Sequence, residues 1–369
     1  MNTLRVGIVS ANWGAFAHLP AWRSLPGVEV VGICTSRQET AAAAAKKFGI
    51  ERAFCDAEAM AADPDIDILD CGTRPSIRFA MVLAALRHKK HVYNSIPFAA
   101  DVDHARSLHR AWKSSGLTAI VDAFSEWIPA HRAAKQMLQD GYIGQPFGGT
   151  CKFNISLFNK PHPQFPYNWF SQKGMGVSAV RNLGSHALHM LVYTFGEIDE
   201  LAADDSQLLK EWHFPDGSII HPETNDFANA LIRFKSGMVL QLQVSWSATV
   251  PEGWRLEAFG SKGRFVAAAP SFPTALDTTL HAGTLESGTL ERVELPEPFM
   301  RTAGIGIDAG TQIAPAYPMA LAMNSMVEAI RGHGVARPDF EQAWYVERIQ
   351  EAVRRAAADR RWVKVAEVH

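Results

Sequence analysis

Short apolar runs alternate with helix-like segments along residues 4–122. Most of the apolar runs are continuous, which is typical of strands buried on both faces of a sheet. Repeated strand–helix units of this kind predict a parallel, doubly wound sheet. The predicted strands are Leu4–Val9, Val28–Cys34, Ile66–Cys71, His91–Asn94 and Leu117–Asp122, and the predicted helices are Ala15–Ser24, Gln38–Phe48, Ala57–Ala62, Ile77–His88 and Asp101–Ser114.

The pattern changes after Pro146, and residues 238–247 alternate strictly. Met238, Leu240, Leu242, Val244 and Trp246 fall on one side, and Val239, Gln241, Gln243, Ser245 and Ser247 fall on the other. Such alternation predicts an antiparallel strand with one buried face. Turns at 235–237 and 261–263 predict hairpins with the neighbouring strands. Those strands are Phe227–Phe234, Arg255–Phe259 and Arg264–Ala268, and helices are predicted near Gly184–Phe195 and over Met319–Arg331 and Phe340–Arg360.

We therefore predict an α/β protein with two domains. Residues 1–123 are expected to form a dinucleotide-binding Rossmann domain with a parallel, doubly wound sheet. Residues 124–369 are expected to form an α+β domain with an open, mostly antiparallel sheet. Its C-terminal helices either stay with this domain or pack back on the first domain.

The composition excludes several classes of protein. A chain of 369 residues is too long for one ordinary core, and its formal net charge of −2 gives no reason to expect a nucleic-acid partner. No apolar run reaches the roughly 18 residues of a membrane span, and a strand beginning at Leu4 leaves no room for a signal peptide. The four cysteines lack C-x-x-C spacing, so we expect a reducing cytoplasm.

The turn after the first strand is the first candidate binding site. A strand that runs through a tight turn into a helix presents backbone N–H groups and a helix dipole to an anion such as pyrophosphate. Here the glycine positions of G-x-G-x-x-G hold Ser10, Asn12 and Ala15, so the motif alone is a weak match. We nevertheless expect the turn to bind a dinucleotide through Ser10, Asn12, Trp13, Gly14 and Ala15.

Three further loops follow predicted strands at the same edge, where the ligands of doubly wound sheets bind. Thr35, Ser36 and Arg37 stand where an NAD-selective fold usually has an acidic residue. Hydroxyls beside a guanidinium suit a 2′-phosphate, which favours NADP over NAD. The alternative is an ordinary polar loop in which Ser36 caps the next helix. The segments Thr73-Arg74-Pro75 and Ser95-Ile96-Pro97 follow the next strands, and we expect both to face the cofactor.

The segment 181–189 is the best candidate for acid–base chemistry. His186 titrates near neutrality and is able to exchange a proton while a hydride moves. If the segment is helical, Asn182, His186 and His189 share one face. A structural role for His186 is the alternative. No metal is expected, because no third ligand completes a set nearby.

Aromatic residues indicate where a substrate would bind. Trp127 and Trp169 lie in loop-like contexts and either line a pocket for a flat or ring-shaped substrate or belong to the core. Trp246 is assigned to the core. Lys173, Arg181 and His189 complete the predicted substrate-binding set.

Several short segments, in this order and spacing, resemble the Gfo/Idh/MocA family of oxidoreductases over nearly the whole chain. They are Val6-Gly7-Ile8-Val9 with His18-Leu19-Pro20, Asp63-Pro64-Asp65-Ile66-Asp67, Ala84-Ala85-Leu86 with Lys90-His91-Val92, Gly141-Tyr142-Ile143-Gly144, Asn182-Leu183-Gly184-Ser185-His186, and the ending from Gly332 to Arg360-Arg361-Trp362-Val363. The resemblance implies an NAD(P)-dependent enzyme with a Rossmann domain and an open mixed sheet. It also implies that residues 124–369 serve for substrate binding and oligomerisation, with a homodimer or homotetramer formed through that sheet.

The chain departs from the family at the usual active site. Ser95-Ile96-Pro97 replaces Glu-Lys-Pro, Asn182 replaces an aspartate, and Ser125-Glu126-Trp127 stands in place of Arg-Arg-Phe. Of the family's Lys–Asp–His group only His186 remains.

Three interpretations follow. The chain is a working dehydrogenase acting on a sugar, polyol, lactol or aromatic-derived ring. In that case His186 is the acid–base group, Asn182 is a hydrogen-bond donor and Ile96 packs on the nicotinamide. Alternatively, it is a catalytically silent NADP-binding sensor similar to the Gal80-like branch, which contacts a regulator. The third interpretation is family-style glycosidase chemistry, in which bound NAD oxidises and re-reduces a sugar.

Overall fold

The computed structural model describes residues 3–159, 161–162 and 168–369. The strands are β1 Leu4–Val9, β2 Val28–Cys34, β3 Arg52–Phe54, β4 Ile68–Cys71, β5 His91–Asn94, β6 Ala119–Val121, β7 Pro146–Asn154, β8 Ile198–Ser206, β9 Trp212–His213, β10 Ile219–Ile220, β11 Phe227–Phe234, β12 Val239–Ser245, β13 Gly253–Gly260, β14 Gly263–Ala269, β15 Thr279–Thr284, β16 Glu291–Arg292 and β17 Val363–Lys364. The helices are α1 Leu19–Arg23, α2 Gln38–Phe48, α3 Ala57–Ala62, α4 Pro75–Arg87, α5 Val102–Ser115, α6 Pro129–Gln139, α7 Ser185–Phe195, α8 Glu297–Met300, α9 Ala316–Ile330 and α10 Phe340–Asp359.

The chain folds into two compact units, and the C-terminal residues 301–369 are divided between them. One unit holds the N-terminal part up to Trp127 together with Arg301–Trp344, and the other holds Ile128–Met300 with Tyr345–His369. Helix α9 therefore belongs to the N-terminal unit, where it packs against α1. The functional division at residue 123 stays a prediction.

The N-terminal unit is built on a parallel sheet. In the described part of the chain it has six strands in the order β3-β2-β1-β4-β5-β6, which confirms the predicted doubly wound sheet. The short strand β3 was not predicted from the sequence. The third predicted strand begins two residues late, at Ile68, and the predicted strand over 117–122 shortens to Ala119–Val121.

Local signals set the ends of the helices. Gly49 ends α2 with a φ of +61°, a conformation that glycine adopts without steric cost. Asp56 and Asp101 cap α3 and α5 by accepting hydrogen bonds from the backbone N–H groups of Glu58 and His104. These caps satisfy N–H groups that have no partner within their own helix.

The outer edge of β6 is covered by the chain's return at residues 338–339. The Val121 N–H donates to the Pro338 carbonyl at 2.9 Å, and Ile120 forms a bridge with Asp339. Because an uncovered edge presents unpaired backbone groups, this segment closes the sheet where it would otherwise accept another strand.

The second unit is built on a mixed sheet with the order β16-β15-β14-β13-β7-β12-β11-β8-β17 among the described residues. Most neighbours are antiparallel, as predicted. The strand β12 differs from the prediction on one side, because it is antiparallel to β11 but parallel to β7. Its predicted buried side is confirmed from Met238 to Trp246, whereas Ser245 on the other side is also buried.

One face of this sheet carries α6 and the turn before α7. The other face is open: Leu231 and Phe259 are each 43% exposed, and Gln241 lies beside Leu231 in the register. None of the described helices is long and apolar enough to cross a membrane.

Candidate functional site

Strand register brings the predicted cofactor-binding loops to one edge of the N-terminal sheet. The last residue of β1, Val9, pairs with Cys34 of β2 and with Cys71 of β4, and Cys71 pairs with Asn94 of β5. Four neighbouring strands therefore end at one level. The loops that follow them contain all the predicted cofactor residues: Ser10 to Ala15, Thr35 to Arg37, Thr73 to Pro75, and Ser95 to Pro97.

The turn after β1 keeps a glycine-like conformation without the glycine. Ser10 has a φ of +155°, which side-chain-bearing residues rarely adopt and which costs on the order of 1–3 kcal/mol. Its hydroxyl accepts a hydrogen bond from the Asn12 N–H at 3.1 Å, which offsets part of this cost. The chain then enters a single π-helical turn, Gly14–His18, that continues into α1.

Close packing at the turn comes from a pair of glycines. A Cβ atom on Gly72, just after β4, would lie 3.1 Å from the Gly14 Cα. One on Gly14 would lie 2.8 Å from the Ile8 Cγ2. Gly14, rather than the buried Ala15, thus provides the close approach of helix and strand that the third fingerprint glycine usually provides. Sequence reasoning missed Gly72, because this contact joins residues 58 positions apart.

The loop after β2 leaves a cation exposed. Thr35 donates its hydroxyl hydrogen bond to the Arg37 carbonyl at 3.0 Å. The N-cap of α2 is Arg37, so the alternative in which Ser36 caps the helix is wrong. Arg37 is exposed, and no described residue forms a hydrogen bond or ion pair with its guanidinium. This group is therefore available to an anionic ligand.

Arg78, which the sequence analysis overlooked, joins two of these loops. Its side chain is 1% exposed and lies on the first turns of α4. It donates to the carbonyls of Thr73 and Pro97, and to that of Ser95 at 2.7 Å. A buried guanidinium that donates to carbonyl groups of both loops fixes them relative to α4, and it places a positive charge beneath them.

Two buried polar atoms at this edge have no partner among the described residues. They are the Asn94 Oδ1 and the Ser95 Oγ, and both residues are at most 4% exposed. Buried polar atoms are normally paired, so orphaned ones at a loop edge fit a polar ligand group. Ile96, between Ser95 and Pro97, is partly buried against the apolar core of this unit.

A buried charged cluster lies under the turn. The His18 ring is wholly buried, with its Nδ1 2.8 Å from the Asp70 Oδ1 and its Nε2 3.2 Å from the Asp122 Oδ2. Trp22 donates to Asp70 at 2.7 Å, and Tyr93 donates to Asp122 at 3.3 Å. We call His18, Asp70 and Asp122 the buried triad. It ties α1 to the ends of β4 and β6.

The two carboxylates keep the imidazole protonated. Burial alone lowers the pKa of His18, but the charges and hydrogen bonds of Asp70 and Asp122 outweigh it and raise the pKa to about 10. At neutral pH the His18 imidazole is therefore positively charged between the two aspartates. Burying such a group is costly unless each charge is paired, and here each charge has a hydrogen-bonded partner.

The side chains of the segment after β6 form hydrogen bonds with other residues of the same unit. Glu126 accepts a hydrogen bond from Gln342 at 3.2 Å, and burial raises the pKa of its carboxyl to about 7. The indole of Trp127 donates to the Arg337 carbonyl at 3.3 Å. Trp127 thus lies in a 3₁₀ turn against the returning chain, and its role toward a substrate stays a prediction.

The predicted acid–base residues lie in the second unit. Asn182 is part of a π-helical turn, Val180–Gly184, that runs directly into α7 with His186 and His189. His186 is 7% exposed, and its ring lies nearly perpendicular to that of Phe272, with 4.9 Å between the ring centroids. Burial, with a smaller contribution from the nearby His186, lowers the pKa of His189 to about 3. His189 is therefore neutral at physiological pH.

The other predicted substrate residues differ in their surroundings. The Arg181 guanidinium donates to the buried carboxylate of Glu347 at 2.9 and 3.1 Å and to the Gly176 carbonyl at 3.0 Å. Lys173 is exposed, and Trp169 packs on Phe170 with 4.5 Å between ring centroids. No described group of His, Cys, Asp and Glu side chains is arranged to hold a metal ion.

Two family models cover most of the chain. Residues 4–123 match the oxidoreductase family with an NAD-binding Rossmann fold, and residues 131–266 match the GFO/IDH/MocA C-terminal domain. The chain belongs to the GFO/IDH/MocA oxidoreductase family. This confirms the predicted family, a nucleotide-binding first domain and an NAD(P)-dependent dehydrogenase as the enzyme class.

Relatives within the GFO/IDH/MocA family act on several substrates. A D-apiose dehydrogenase of Paraburkholderia graminis is 33% identical over 63% of this chain, and the match spans 57% of that protein. A levoglucosan dehydrogenase of Pseudarthrobacter phenanthrenivorans is 24% identical over the full length of both chains.

Solved structures share the fold. A levoglucosan dehydrogenase in complex with NADH matches 99% of both chains with a TM-score of 0.86 and 22% identity. A super-repressor mutant of Gal80p from Saccharomyces cerevisiae matches 99% of this chain with a TM-score of 0.85 and 16% identity. At such identities the likeness concerns the fold alone.

The protonated buried triad predicts a pH-dependent stability. The folded-state pKa of His18, about 10, lies above its ordinary value of 6.5, so its contribution is complete below pH 6.5 and is lost as the pH rises through 10. We expect the melting temperature to fall across this window. His18→Gln leaves two carboxylates without their cation, so it should cost about 3–5 kcal/mol near neutral pH and flatten the fall.

Thermal unfolding followed by circular dichroism at several pH values measures both effects. The exposed His333→Gln is the matched control and should retain the wild-type profile. An unchanged pH profile in His18→Gln would contradict a charged His18.

Proposed function

We propose that this protein is an NADP-linked dehydrogenase that transfers a hydride between the nicotinamide and a hydroxyl or carbonyl group of a cyclic sugar or polyol. The observation that carries the proposal is that the loops after neighbouring strands begin at one edge of the sheet, in a domain that matches the family's NAD-binding model. The loop after β2 contains the Arg37 guanidinium, which has no partner among the described residues. A cytoplasmic location is part of the proposal, and the four free cysteines support it. We further propose residues 1–123 as the cofactor-binding domain and 124–369 as the substrate-binding domain.

Each loop would hold one part of the cofactor. The N–H groups of the Ser10–Ala15 turn and the helix that follows favour the pyrophosphate. Arg37, with Thr35 and Ser36, would bind the 2′-phosphate of NADP. The loops after β4 and β5, which Arg78 fixes, would line the nicotinamide half, with the orphaned Ser95 hydroxyl available to a polar group.

When bound, the nicotinamide accepts or supplies the hydride. His186 takes the hydroxyl proton in the oxidation direction and returns it in the reduction direction. The side-chain amide of Asn182 donates a hydrogen bond to the substrate oxygen. Because His189 is neutral, His186 can gain a proton without a second positive charge on the same helix face.

The substrate class follows from the named activities of the relatives. D-apiose, levoglucosan and myo-inositol dehydrogenases are among them. Trp127, Trp169, Lys173, Arg181 and His189 are proposed to contact a ring-shaped substrate. A pocket with aromatic walls would suit the apolar face of such a ring.

A catalytically silent NADP-binding sensor is the second candidate. Ile96 in place of the family lysine favours it, since this isoleucine packs on the core and has no proton to give. Turnover separates the two candidates: the protein is mixed with NADP or NAD and a panel containing D-apiose, levoglucosan and inositols, and reduced nicotinamide is followed by absorbance. Clear turnover excludes the sensor, and binding without any turnover excludes the dehydrogenase.

The open face of the second unit's sheet is proposed to form a homodimer or homotetramer interface. Leu231 and Phe259 lie on it beside polar residues, so it combines apolar anchors with hydrogen-bonding groups.

Cofactor choice gives the first prediction of the proposal. Arg37→Ala should weaken NADP binding by about 10–100-fold, because charge-assisted hydrogen bonds to phosphate are lost, and should leave NAD binding within about twofold. Calorimetric titration with both nucleotides measures the split. Lys47→Ala, which removes a cation at the far end of the same helix, is the control. An equal loss for NADP and NAD would rule out the 2′-phosphate role.

The proposed role of His186 in proton transfer gives the second prediction. His186→Ala should lower kcat by about 10²–10⁴-fold, the usual effect of losing a general acid–base group, with NADP affinity preserved. Steady-state kinetics with the best substrate of the panel measures the loss. The exposed His213→Ala is the control. Full activity in His186→Ala would remove this histidine from the mechanism.

The proposed oligomer interface on the open sheet face gives the third prediction. We expect the wild type to sediment as a dimer or tetramer and Leu231→Glu to sediment as a smaller species, because a carboxylate would be buried in an apolar contact. Sedimentation velocity measures the size. Val335→Glu places the same charge on another exposed apolar residue and should leave the size unchanged. A monomeric wild type would exclude this interface.

A further inference from the structure

The indole of Trp13 links the nucleotide-binding turn to the buried triad. Its Nε1 donates a hydrogen bond to the Asp122 Oδ2 at 2.9 Å. Trp13 is the residue immediately before the π-helical turn, and it is only half-buried. Asp122, in contrast, is 3% exposed and directly follows β6. One hydrogen bond therefore connects the partly exposed turn after β1 to a buried carboxylate after β6, across the two intervening strands β4 and β5.

Asp122 is itself held on several sides. Its Oδ2 also contacts the His18 Nε2 at 3.2 Å, and its Oδ1 accepts from the Tyr93 hydroxyl at 3.3 Å. The backbone N–H of Asp122 donates to the Asn94 carbonyl at 2.8 Å. With these partners the carboxylate has little freedom to follow Trp13. The hydrogen bond consequently constrains the turn rather than the carboxylate.

The turn needs such a constraint. The usual fingerprint glycines are absent, and Ser10 holds a φ of +155° that its own side chain disfavours. Because this φ costs on the order of 1–3 kcal/mol, conformations of the turn that relieve the strain compete with the one that holds it. A ligand that binds only one of them has its affinity reduced in proportion to the population of that conformation.

We propose that Asp122 is a positioning residue for the cofactor: through the indole of Trp13 it holds the Ser10–Gly14 turn in the conformation that binds the dinucleotide pyrophosphate. The inference rests on the proposed dinucleotide-binding function. Asp122 does not touch the ligand in this arrangement. Its effect is transmitted by one charge-assisted hydrogen bond, and its measurable consequence is affinity.

Two variants distinguish an effect on the conformation of the turn from an effect on the stability of the fold. Trp13→Phe keeps an aromatic ring on the turn and removes the donor to Asp122, together with part of the ring volume. Tyr93→Phe removes a donor to the same carboxylate from inside the sheet. Trp13→Phe should weaken NADPH binding by about tenfold, since a hydrogen bond to a charged group is lost. Tyr93→Phe should bind NADPH within about twofold of the wild type, even though its melting temperature falls at least as much.

Calorimetric titration of the full chain with NADPH, well below the melting temperature, measures the affinities, and a thermal scan of each variant measures stability. The double variant Trp13→Phe/Asp122→Ala should bind no more weakly than Asp122→Ala alone, because Asp122→Ala removes the acceptor and Trp13→Phe the donor of the same hydrogen bond. If Asp122→Ala fails to fold, the comparison of Trp13→Phe with Tyr93→Phe still tests the inference.

Wild-type affinity in Trp13→Phe would overturn the inference. Equal weakening in Trp13→Phe and Tyr93→Phe would also overturn it, since general loosening would then explain both. A wild-type protein that binds neither NADPH nor NADH would refute the proposed function together with the inference, whereas the first two outcomes leave the proposed function intact.

Discussion

Parallel strand pairing in one register is the constraint on which the candidate site depends. Val9, Cys34, Cys71 and Asn94 are the last residues of their strands and lie level across the sheet. Loops separated by dozens of residues therefore begin at one edge, where backbone N–H groups and helix N-termini face the same side. A slip of one residue in any strand would also turn its buried side chains toward the opposite layer, so the hydrophobic core fixes the register as firmly as the hydrogen bonds do.

Buried charged groups fix the loops at this edge of the sheet. Arg78 fixes the loops after β4 and β5 through their carbonyl groups, and the buried triad fixes the turn after β1 through His18 and Trp13. Buried ion pairs contribute little net stability but strongly disfavour alternative arrangements, because a carboxylate without its partner is expensive in the interior. Their main effect here is a defined geometry for loops whose own sequences specify it poorly.

The sequence predicts the fold well because the signals for it are local. Continuous apolar runs such as Val28–Cys34 and the alternation from Met238 to Trp246 are readable within a few residues, and Gly49 ends a helix by its own conformational preference. The parallel partner of β12 was not predictable in the same way, since β7 lies far away along the chain and its alternation does not reveal the direction of its neighbour.

The candidate site is predictable only in part, because some of its contacts join residues that are distant in sequence. Placement of residues on loops after strands follows from local pattern, whereas Gly72, Arg78 and the buried triad acquire their roles through partners that are distant in sequence. A histidine on an amphipathic helix gives no local sign that two aspartates surround it. The pairing of His18 with Asp122 becomes visible only once β1 and β6 belong to one sheet.

This arrangement also explains how a turn with few glycines can persist in a nucleotide-binding fold. Glycine lowers the conformational cost of a tight turn directly, whereas Ser10 carries that cost and needs compensation from elsewhere. The compensation is spread over the Ser10 hydroxyl, the Gly14–Gly72 contact and the Trp13 hydrogen bond. Because the second and third of these contacts reach residues that follow β4 and β6, the conformation of the turn depends on more of the sheet edge than β1 alone. Losing one contact therefore weakens the turn without abolishing the fold that carries it.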